Sequence, residues 1–281
     1  MKILITGANG MLAKAVKERF NEAELICTDV EELDITNLQA VEELVSNSSP
    51  NVIINCAAYT AVDKAEEDVE LARKINADGP KNLALAANKN NCILVHISTD
   101  YVFGGNLPIE RGIYFEDDEK NPQTVYGKTK LEGEEAIKTN AEDYYIFRTA
   151  WLYGDGKNFV RTMLKLGKER NELNVVADQH GSPTYTVDLA DIIYQALDKK
   201  IPYGVYHTTN LGHTTWYEFT KEILNIANIS CKVNSVTSEE YKTPAKRPKN
   251  SILSKSKILA EGIKIPEWKD ALERYLKIEM Y

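Results

Sequence analysis

The run that decides the fold is ILITGANGMLA, residues 3–13 at the start of the chain. Residues 2–5 are predicted to form a strand. Gly7 follows it closely, where a tight turn needs a backbone conformation that is costly for residues with a side chain. Gly10 removes a side chain where the backbone would approach a phosphate, and a helix predicted from Met11 would turn its free N–H groups and positive dipole end toward that anion. The run therefore predicts a strand, a phosphate-binding turn and a helix.

The spacing of the two glycines allows a dinucleotide, although it departs from the commonest pattern. It reads GxxGxx with Ala13 in the third place, whereas the usual fingerprint is GxGxxG. Alanine is small enough for close packing of the helix on the strand, so the departure is mild. An ordinary glycine turn is the alternative, but the strand–turn–helix context favours a nucleotide. The residues expected to hold the cofactor here are Gly7, Asn9, Gly10, Met11 and Leu12.

Short apolar runs alternate with longer helical patterns through the first half of the chain. Further strands are predicted at residues 24–28, 52–55, 93–98 and 144–148, and helices at residues 11–20, 37–45 and 125–138, with one or two helices over residues 69–90. Residues 52–55 have the near-continuous apolar character of a strand buried on both faces. This alternation predicts an α/β fold with a doubly wound, Rossmann-like parallel sheet.

The regular alternation ends after residue 148. Helices are predicted at residues 159–168, 187–197 and 215–227, a strand at 173–176, and loops over the Pro- and Lys-rich residues 236–253. We therefore expect a dinucleotide-binding domain over residues 1–148, to which later segments return. Residues 149–281 are expected to form mainly a smaller, mixed α/β substrate-binding domain.

Composition argues against several classes of protein. The 281 residues carry a net charge of -8 without a basic tract, which argues against a nucleic-acid partner. No apolar run approaches the roughly 20 residues that a membrane helix needs. The cysteines are widely spaced, with no CxxC pair and no Cys/His ligand spacing, so we expect reduced thiols and no metal site. A strand beginning at residue 2 or 3 leaves no room for a signal peptide, so the expected location is the cytoplasm.

Asp29 ends the second predicted strand, 22 residues after Gly7. This spacing matches that of the acidic residue that binds the adenosine ribose hydroxyls of a dinucleotide. A carboxylate there would repel a 2′-phosphate, so the sequence favours NADH over NADPH. The alternative is a solvated turn carboxylate. Asp34 and Ile35 are expected to flank the adenine, because the chain returns to that place.

Tyr126 and Lys130 lie four residues apart, one turn of the predicted helix, and so share a face. A nearby ammonium is expected to lower the pKa of the phenol, which could then deliver a proton to a carbonyl oxygen as hydride reaches the carbon. Alone, such a pair is common on exposed helices; behind a dinucleotide fold it indicates catalysis. Thr99, after the fourth strand, could hydrogen-bond the same oxygen, and capping a turn is its alternative role.

Seven motifs together give the chain a family resemblance. They are TGANGML, NCAAYTAVDKAEED, STDYVFGG, YGKTKLEGE, RTAWLYG, DQHGSPTYT and RPKNSIL. The chain resembles the extended short-chain dehydrogenase/reductases over nearly its whole length. The resemblance implies reduction of the 4-keto group of a dTDP-linked 6-deoxy sugar by NADH or NADPH. In it, Tyr126 is the acid, Lys130 holds the nicotinamide ribose and tunes Tyr126, and Thr99 binds the reacting oxygen.

The same resemblance implies further contacts with cofactor and sugar. Asp100, Trp151 and Gln179 fall where the family binds the sugar nucleotide, and Arg247 is a plausible clamp on its diphosphate because guanidinium suits bidentate phosphate contacts. A solvated loop charge is the alternative for Arg247. Some relatives bind magnesium at a dimer interface, but no residue here marks that site, and monomer and homodimer both stay open. The cofactor groove after the third strand is expected to be lined by Ala57, Ala58 and Tyr59.

Two other functions are compatible with such a fold. One is a non-catalytic regulatory subunit like that of methionine adenosyltransferase, against which the intact Tyr126, Lys130 and Thr99 argue. The other is a sugar-nucleotide epimerase or 4,6-dehydratase, in which the cofactor is recycled. Dehydratases resembling this fold place Asp-Glu after the active-site Thr, whereas this chain has Asp100-Tyr101.

Overall fold

The structure is a computed structural model that describes residues 1–105, 107 and 112–280. The strands are β1 (Lys2–Thr6), β2 (Glu24–Thr28), β3 (Val52–Asn55), β4 (Ile93–Thr99), β5 (Tyr144–Thr149), β6 (Leu152–Tyr153), β7 (Glu172–Val176), β8 (His180–Gly181), β9 (Thr184–Tyr185), β10 (Gly204–His207), β11 (Thr214–Thr215) and β12 (Lys232–Val236). The α-helices are α1 (Met11–Arg19), α2 (Leu38–Ser48), α3 (Val62–Ala65), α4 (Val69–Arg73), α5 (Gly79–Lys89), α6 (Val125–Asn140), α7 (Phe159–Glu169), α8 (Thr186–Lys199), α9 (Trp216–Ile226), α10 (Ser256–Ala260) and α11 (Trp268–Met280).

The centre of the molecule is a six-stranded parallel sheet in the order β10-β5-β4-β3-β1-β2. The chain runs outward from β1 to β2 and then crosses to the other side of β1 to form β3. The strand order therefore reverses between β1 and β3. In open α/β sheets a ligand binds at the carboxyl ends of the strands at such a reversal. The predicted Rossmann-like α/β fold is confirmed.

Helices cover both faces of this sheet because successive side chains of a strand point to opposite sides. In β1, Ile3 and Ile5 belong to a core with α1 and α8, whereas Leu4 belongs to a second core with α2 and α5. All three side chains are fully buried. The sheet is thus anchored on both sides, and its carboxyl edge is a rigid platform.

The chain after residue 149 contributes to two places. The helix α8 packs on α1, and the strand β10 extends the central sheet beside β5. A third apolar cluster is formed mainly by α7, α9 and α11 with the parallel pair β7 and β12. This second body stands next to the carboxyl edge of the sheet, where β5 leads into β6.

The regular elements match the sequence expectations closely, and the differences are short or late in the chain. The stretch 69–90, predicted to hold one or two helices, contains two helices joined by one π-helical turn, Lys74–Asp78. The strands β10 and β12 and the helix α11 were not predicted. No helix in the described part of the chain is both long and apolar enough to cross a bilayer. All four cysteines are free thiols.

Candidate active site

The glycine turn after β1 lies tightly against the segment that follows β3. Gly7 has a φ of +65°, and a Cβ there would lie 2.7 Å from the backbone nitrogen of Ala57. Only glycine meets both conditions without strain. Gly10 is the N-cap of α1 and brings no side chain over the first free N–H groups of that helix. These two glycines leave an open cradle of backbone at a helix N-terminus, which fits a pyrophosphate.

A cavity of about 280 Å³ lies beside this cradle. Asp29, Asp34 and Ile35 line it on one side, and Ala57 and Ala58 line it on another. None of its described lining residues is Lys or Arg. The full set of lining residues is Gly7, Gly10, Asp29, Val30, Leu33, Asp34, Ile35, Thr36, Cys56, Ala57, Ala58 and Ile75. The structure therefore brings together most of the residues predicted to hold the cofactor.

Asp29 is fixed by the glycine turn itself. One carboxylate oxygen accepts a hydrogen bond from the backbone N–H of Asn9 at 2.9 Å, and the other accepts one from Val30 at 2.8 Å. Met11 and Leu12 are the first two residues of α1, and Leu12 is buried in the core under the turn. Asn9 thus contributes its backbone, and Leu12 supports the cradle from below.

Tyr59 departs from the predicted groove. Its hydroxyl donates to Asp68 at 2.7 Å, and it is not among the residues that line the cavity. Its backbone is held by Asn76, whose side chain accepts from the Tyr59 N–H at 2.8 Å and donates to the Tyr59 carbonyl at 3.1 Å. Asn76 also donates to Thr129 on α6. The π-helical turn that carries Asn76 therefore ties the segment after β3 to the helix of Tyr126.

Helix α6 begins beside the end of β4. Thr124 caps it by accepting a hydrogen bond from the Gly127 N–H at 3.0 Å. Gly127 lies so close to the Tyr101 carbonyl that a side chain would clash. These contacts place the first turn of α6, which carries Tyr126, against the turn that follows Thr99. The rings of Tyr101 and Tyr126 meet edge to face with centroids 5.6 Å apart.

The phenol of Tyr126 keeps its proton at neutral pH. Its pKa is raised to about 12, mainly by burial, while a hydrogen bond with Thr99 lowers it and the charge of Asp100 adds a smaller rise. The prediction that Lys130 lowers this pKa is wrong for this structure. The reason is geometric, because the Lys130 Nζ is drawn to the Ile97 carbonyl at 2.6 Å and to His96 at 3.2 Å.

Lys130 is itself buried and easily deprotonated for a lysine. Burial lowers its pKa to about 8, while the charges of Glu134 and Cys56 act the other way. His96, on β4, is fully buried and was missed by the sequence analysis. Its pKa lies well below the usual range because of burial and the neighbouring Lys130. A histidine inside a predicted strand gives little signal from sequence alone.

Thr99 and Asp100 end β4 at the carboxyl edge of the sheet. The Thr99 hydroxyl donates to Asp100 at 3.0 Å and accepts from the Tyr101 N–H at 3.2 Å, so its capping role is realised. Burial raises the pKa of Asp100 to about 6, and hydrogen bonds with Ser251 and Thr99 partly offset this rise. One carboxylate oxygen of Asp100 is buried without a partner among the described residues. Such an orphaned acceptor is costly unless a ligand or water completes it.

Trp151 lies two residues after the end of β5 in a strained backbone conformation, with a φ of +46°. Its ring stacks on Trp216 at the start of α9, with centroids 3.5 Å apart and planes 11° from parallel. The backbone of Gly181 packs against the indole of Trp151, and a side chain at position 181 would clash with that ring. A non-glycine residue held in this way is typical of a functional position. Trp216 and Gly181 fix the indole of Trp151 against the third apolar cluster.

Gln179 and Arg247 have internal partners that the sequence did not suggest. Gln179 is buried and donates to Ser238 at 3.0 Å. Arg247 holds Asp63 with two parallel hydrogen bonds, of 3.0 Å and 2.7 Å. Asp63 lies in α3, after β3, so this pair joins the loop of Arg247 to the segment that follows β3. The pKa of the Asp63 carboxyl is lowered mainly by the hydrogen bond with Arg247.

A buried ion pair behind the site was also missed. Arg148, near the end of β5, and Glu134, on α6, are both fully buried and joined by bonds of 2.9 Å and 2.6 Å. Ser98 donates to the same carboxylate, and Arg148 also donates to the Glu116 carbonyl. Burial would raise the pKa of Glu134, but the hydrogen bonds and charge of Arg148 lower it overall. This pair supports the strand end that carries Thr99.

The comparisons with known proteins agree with this geometry. Residues 1–280 match the family model described as RmlD substrate binding domain. A dTDP-4-dehydrorhamnose reductase from Aggregatibacter actinomycetemcomitans is 42% identical over 97% of this chain and 97% of its own. The crystal structure of a dTDP-4-dehydrorhamnose reductase from Clostridium acetobutylicum is 51% identical, covers 100% of both chains and has a TM-score of 0.97. That of a Bacillus anthracis enzyme of the same name, in complex with NADP, is 43% identical, covers 99% of both chains and has a TM-score of 0.94.

Proposed function

The chain belongs to the RmlD family, and from that premise we propose that it is a reductase of a dTDP-linked 4-keto sugar. The proposed reaction is the NAD(P)H-dependent reduction of the 4-keto group of dTDP-6-deoxy-L-lyxo-4-hexulose to dTDP-L-rhamnose. One observation carries most weight. A half-buried phenol with a raised pKa stands beside Thr99 at the carboxyl edge of the sheet, next to a cradle that fits a dinucleotide.

The bound nicotinamide would supply the hydride that reaches C4 of the sugar. Tyr126 would donate the proton that the carbonyl oxygen then needs, because its raised pKa keeps the phenol protonated in the resting enzyme. Thr99 would hydrogen-bond the same oxygen. Lys130 would bind the nicotinamide ribose, for which its Nζ must turn from the Ile97 carbonyl. The balance of the reaction is one ketone reduced to one alcohol for each reduced cofactor oxidised.

The rest of the nucleotide sugar would lie against the second body. Asp100 has an unsatisfied carboxylate oxygen that a sugar hydroxyl could donate to, and Trp151 presents a fixed indole. Gln179 would contact the nucleotide part. Arg247 would bind the diphosphate, in competition with Asp63. On this proposal residues 1–148, together with β10 and α8, bind the cofactor, and most of residues 149–281 bind the sugar nucleotide.

We further propose that NADH is used at least as well as NADPH. Two carboxylates, Asp29 and Asp34, line the cavity predicted for the adenosine ribose, and they would repel a 2′-phosphate. The B. anthracis structure holds NADP, so use of both cofactors is a real alternative within the family. We propose a monomer or a homodimer, and no metal step enters the chemistry proposed for Tyr126, Lys130 and Thr99.

An assay of net cofactor consumption tests the proposal against its alternatives. Purified protein is mixed with the dTDP-4-keto-6-deoxy-L-lyxo sugar and NADH or NADPH, and absorbance at the nicotinamide band is followed. A reductase oxidises one cofactor per sugar. An epimerase or dehydratase recycles the cofactor and gives no net loss. A regulatory subunit binds cofactor without turnover, so either of the last two results would refute the proposal.

A further inference from the structure

A chain of buried hydrogen bonds joins the cofactor segment after β3 to Lys130. The backbone N–H of Ala57 donates to the side-chain oxygen of Asn55 at 3.1 Å. The amide nitrogen of Asn55 lies 3.0 Å from Nδ1 of His96. Nε2 of His96 lies 3.2 Å from Nζ of Lys130. Asn55, His96 and Lys130 are each at most 2% exposed, so solvent cannot rearrange this chain.

The order of donors and acceptors in this hydrogen-bond series is set by its first bond. A backbone N–H can only donate, so Ala57 fixes the oxygen of Asn55 on its side and the NH₂ group on the other. Thr6 points its hydroxyl at the same oxygen at 2.8 Å, which agrees with that orientation. The NH₂ group of Asn55 must then donate to Nδ1 of His96. A neutral imidazole that accepts at Nδ1 carries its proton on Nε2.

His96 is neutral because burial and Lys130 both disfavour its charged form. Its Nε2–H therefore points at Lys130. An ammonium has three N–H donors and no lone pair, so it cannot accept this hydrogen bond, whereas a neutral amine can. The neutral amine would accept from His96 and still donate to the Ile97 carbonyl. The contact thus favours loss of a proton from Lys130.

We propose that His96 is a positioning residue that weakens proton binding by Lys130, because Asn55 holds the imidazole with Nε2–H, rather than a lone pair, against Nζ. The role differs from that of the family motif residues, which are expected to contact the substrate or the cofactor directly. With His96 in this role, Lys130 would alternate between two states: a neutral amine that accepts from His96, and an ammonium that turns toward Tyr126 and the cofactor. The effect on turnover rests on the proposed function, whereas the tautomer of His96 and the proton affinity of Lys130 do not.

Other groups also act on Lys130 and must be kept constant in a test. Glu134, one turn further along α6, and Cys56, after β3, both favour the ammonium. Glu134 is already paired with Arg148. Tyr126 lies one turn earlier on the same face of α6. None of these groups is altered by substitutions at Asn55 or His96.

The test is nitrogen NMR of the full-length protein labelled with [¹⁵N]histidine. The chain has four histidines, and His96→Gln identifies the signals of His96 by their loss. The expected wild-type result is a protonated Nε2 and a bare Nδ1, with both shifts moving near pH 8 as Lys130 titrates. Lys130→Met should remove that titration. A wild-type His96 with its proton on Nδ1 would overturn the proposal, whether or not the protein is a reductase.

Asn55→Asp reverses the order of donors and acceptors in the hydrogen-bond series without removing the imidazole. A carboxylate accepts from Ala57 and from Nδ1–H, so Nε2 becomes an acceptor for the Lys130 ammonium. The Lys130 titration should move up by about one pH unit or more. Thr6→Val is the matched control, because it removes a hydrogen bond to the same Asn55 oxygen without changing the direction of the chain. An unchanged titration in Asn55→Asp would contradict the proposal.

A kinetic readout separates this inference from the proposed function. If protonated Lys130 is needed for turnover, kcat/KM falls as pH rises through its pKa. In His96→Gln an amide oxygen can face the ammonium, so the alkaline limb should shift upward by about one pH unit. An unshifted limb in both variants refutes the role of His96. Absence of turnover in every form refutes the reductase and leaves the NMR result to decide on His96.

Discussion

The proposed cofactor end and the proposed substrate end of the site are built differently. The cofactor end is made of consecutive pieces of chain, in which Gly7, Gly10 and Asp29 follow one another through β1, α1 and β2 and are joined by backbone contacts. The substrate end is assembled from distant pieces: Arg247 meets Asp63 across 184 residues, and Trp151 stacks on Trp216. Tyr126 lies on α6, which is joined to the segment after β3 through the hydrogen bond from Asn76 to Thr129.

This difference shows which parts of a site are encoded locally. A turn that needs a positive φ and a close backbone approach can be filled only by glycine, so the role of Gly7 can be recognised from the sequence. An ion pair such as Arg247–Asp63 uses common residues, and only the fold makes them neighbours. The cofactor end should therefore tolerate few backbone substitutions, while the substrate end should respond mainly to changes of single side chains.

Tyr126→Phe should give the largest effect and sharpen the comparison most. It deletes the proton donor while the ring stays packed on Tyr101, so kcat should fall by about 10²–10⁴-fold. The dissociation constant of the reduced cofactor, measured by fluorescence titration, should change little. Tyr101→Phe is the control, because it deletes the neighbouring phenol only. Near wild-type kcat in Tyr126→Phe would exclude this phenol as the acid.

Glu134→Gln tests how much the buried ion pair behind the site contributes to the free energy of unfolding. The substitution leaves the Arg148 guanidinium buried without its carboxylate, and the free energy of unfolding should fall by about 3–5 kcal/mol. Glu135→Gln, next to it on the exposed face with a surface bridge to Lys138, should change stability by less than about 0.5 kcal/mol. Urea unfolding of the two variants measures the contrast. Equal stabilities would mean that the pair contributes nothing.

The pH dependence of stability follows from the same residue. The folded pKa of Glu134 is lowered below its unfolded value, so its contribution is complete above the unfolded pKa of about 4.5. It is lost as pH falls through the folded pKa. The acid limb of unfolding should therefore be less steep in Glu134→Gln than in the wild type. The measurement is the urea midpoint between pH 6 and pH 3.

Arg247→Ala should affect only the substrate end. Loss of a charged hydrogen bond of roughly 1.5–3 kcal/mol corresponds to a rise in the KM of the nucleotide sugar of about ten- to hundredfold. The affinity for the reduced cofactor should be unchanged. Lys249→Ala is the control, because this lysine side chain is exposed and, among the described residues, its ammonium has only a long contact with Asp178, at 3.9 Å.

Asp63→Ala distinguishes a diphosphate clamp from a structural clasp. If Arg247 binds substrate, removal of Asp63 frees the guanidinium, and KM should stay the same or fall. If the pair only holds α3 to its loop, both alanine variants should raise KM equally. Unchanged KM and kcat/KM in Arg247→Ala would mean that the diphosphate is bound elsewhere.

Asp29 should give the smallest effect, confined to the cofactor end. The wild type should prefer NADH or use both cofactors, and Asp29→Asn should raise kcat/KM for NADPH relative to NADH, by about tenfold at most. The ratio of the two kcat/KM values is the readout. A strong wild-type preference for NADPH would show that the carboxylate does not contact the ribose.

The sequence predicted the central sheet well because each βα unit is a local pattern. β10 escaped notice because it has only four residues and finds its partner, β5, through the fold. His96 was missed because a single polar residue in an apolar strand has no period or motif to mark it. The raised pKa of Tyr126 was also out of reach, because it depends on burial and on where the Lys130 Nζ points.

The most direct test of the central claim follows the hydride itself. Wild-type protein is given the dTDP-4-keto sugar and NADH or NADPH carrying deuterium at C4 of the nicotinamide, for a single turnover. We expect one deuterium at C4 of the product dTDP-6-deoxy sugar, seen by proton NMR and mass spectrometry, with one cofactor oxidised. A product without deuterium, or a sugar that stays a ketone while the cofactor stays reduced, would contradict the assignment of this site to carbonyl reduction.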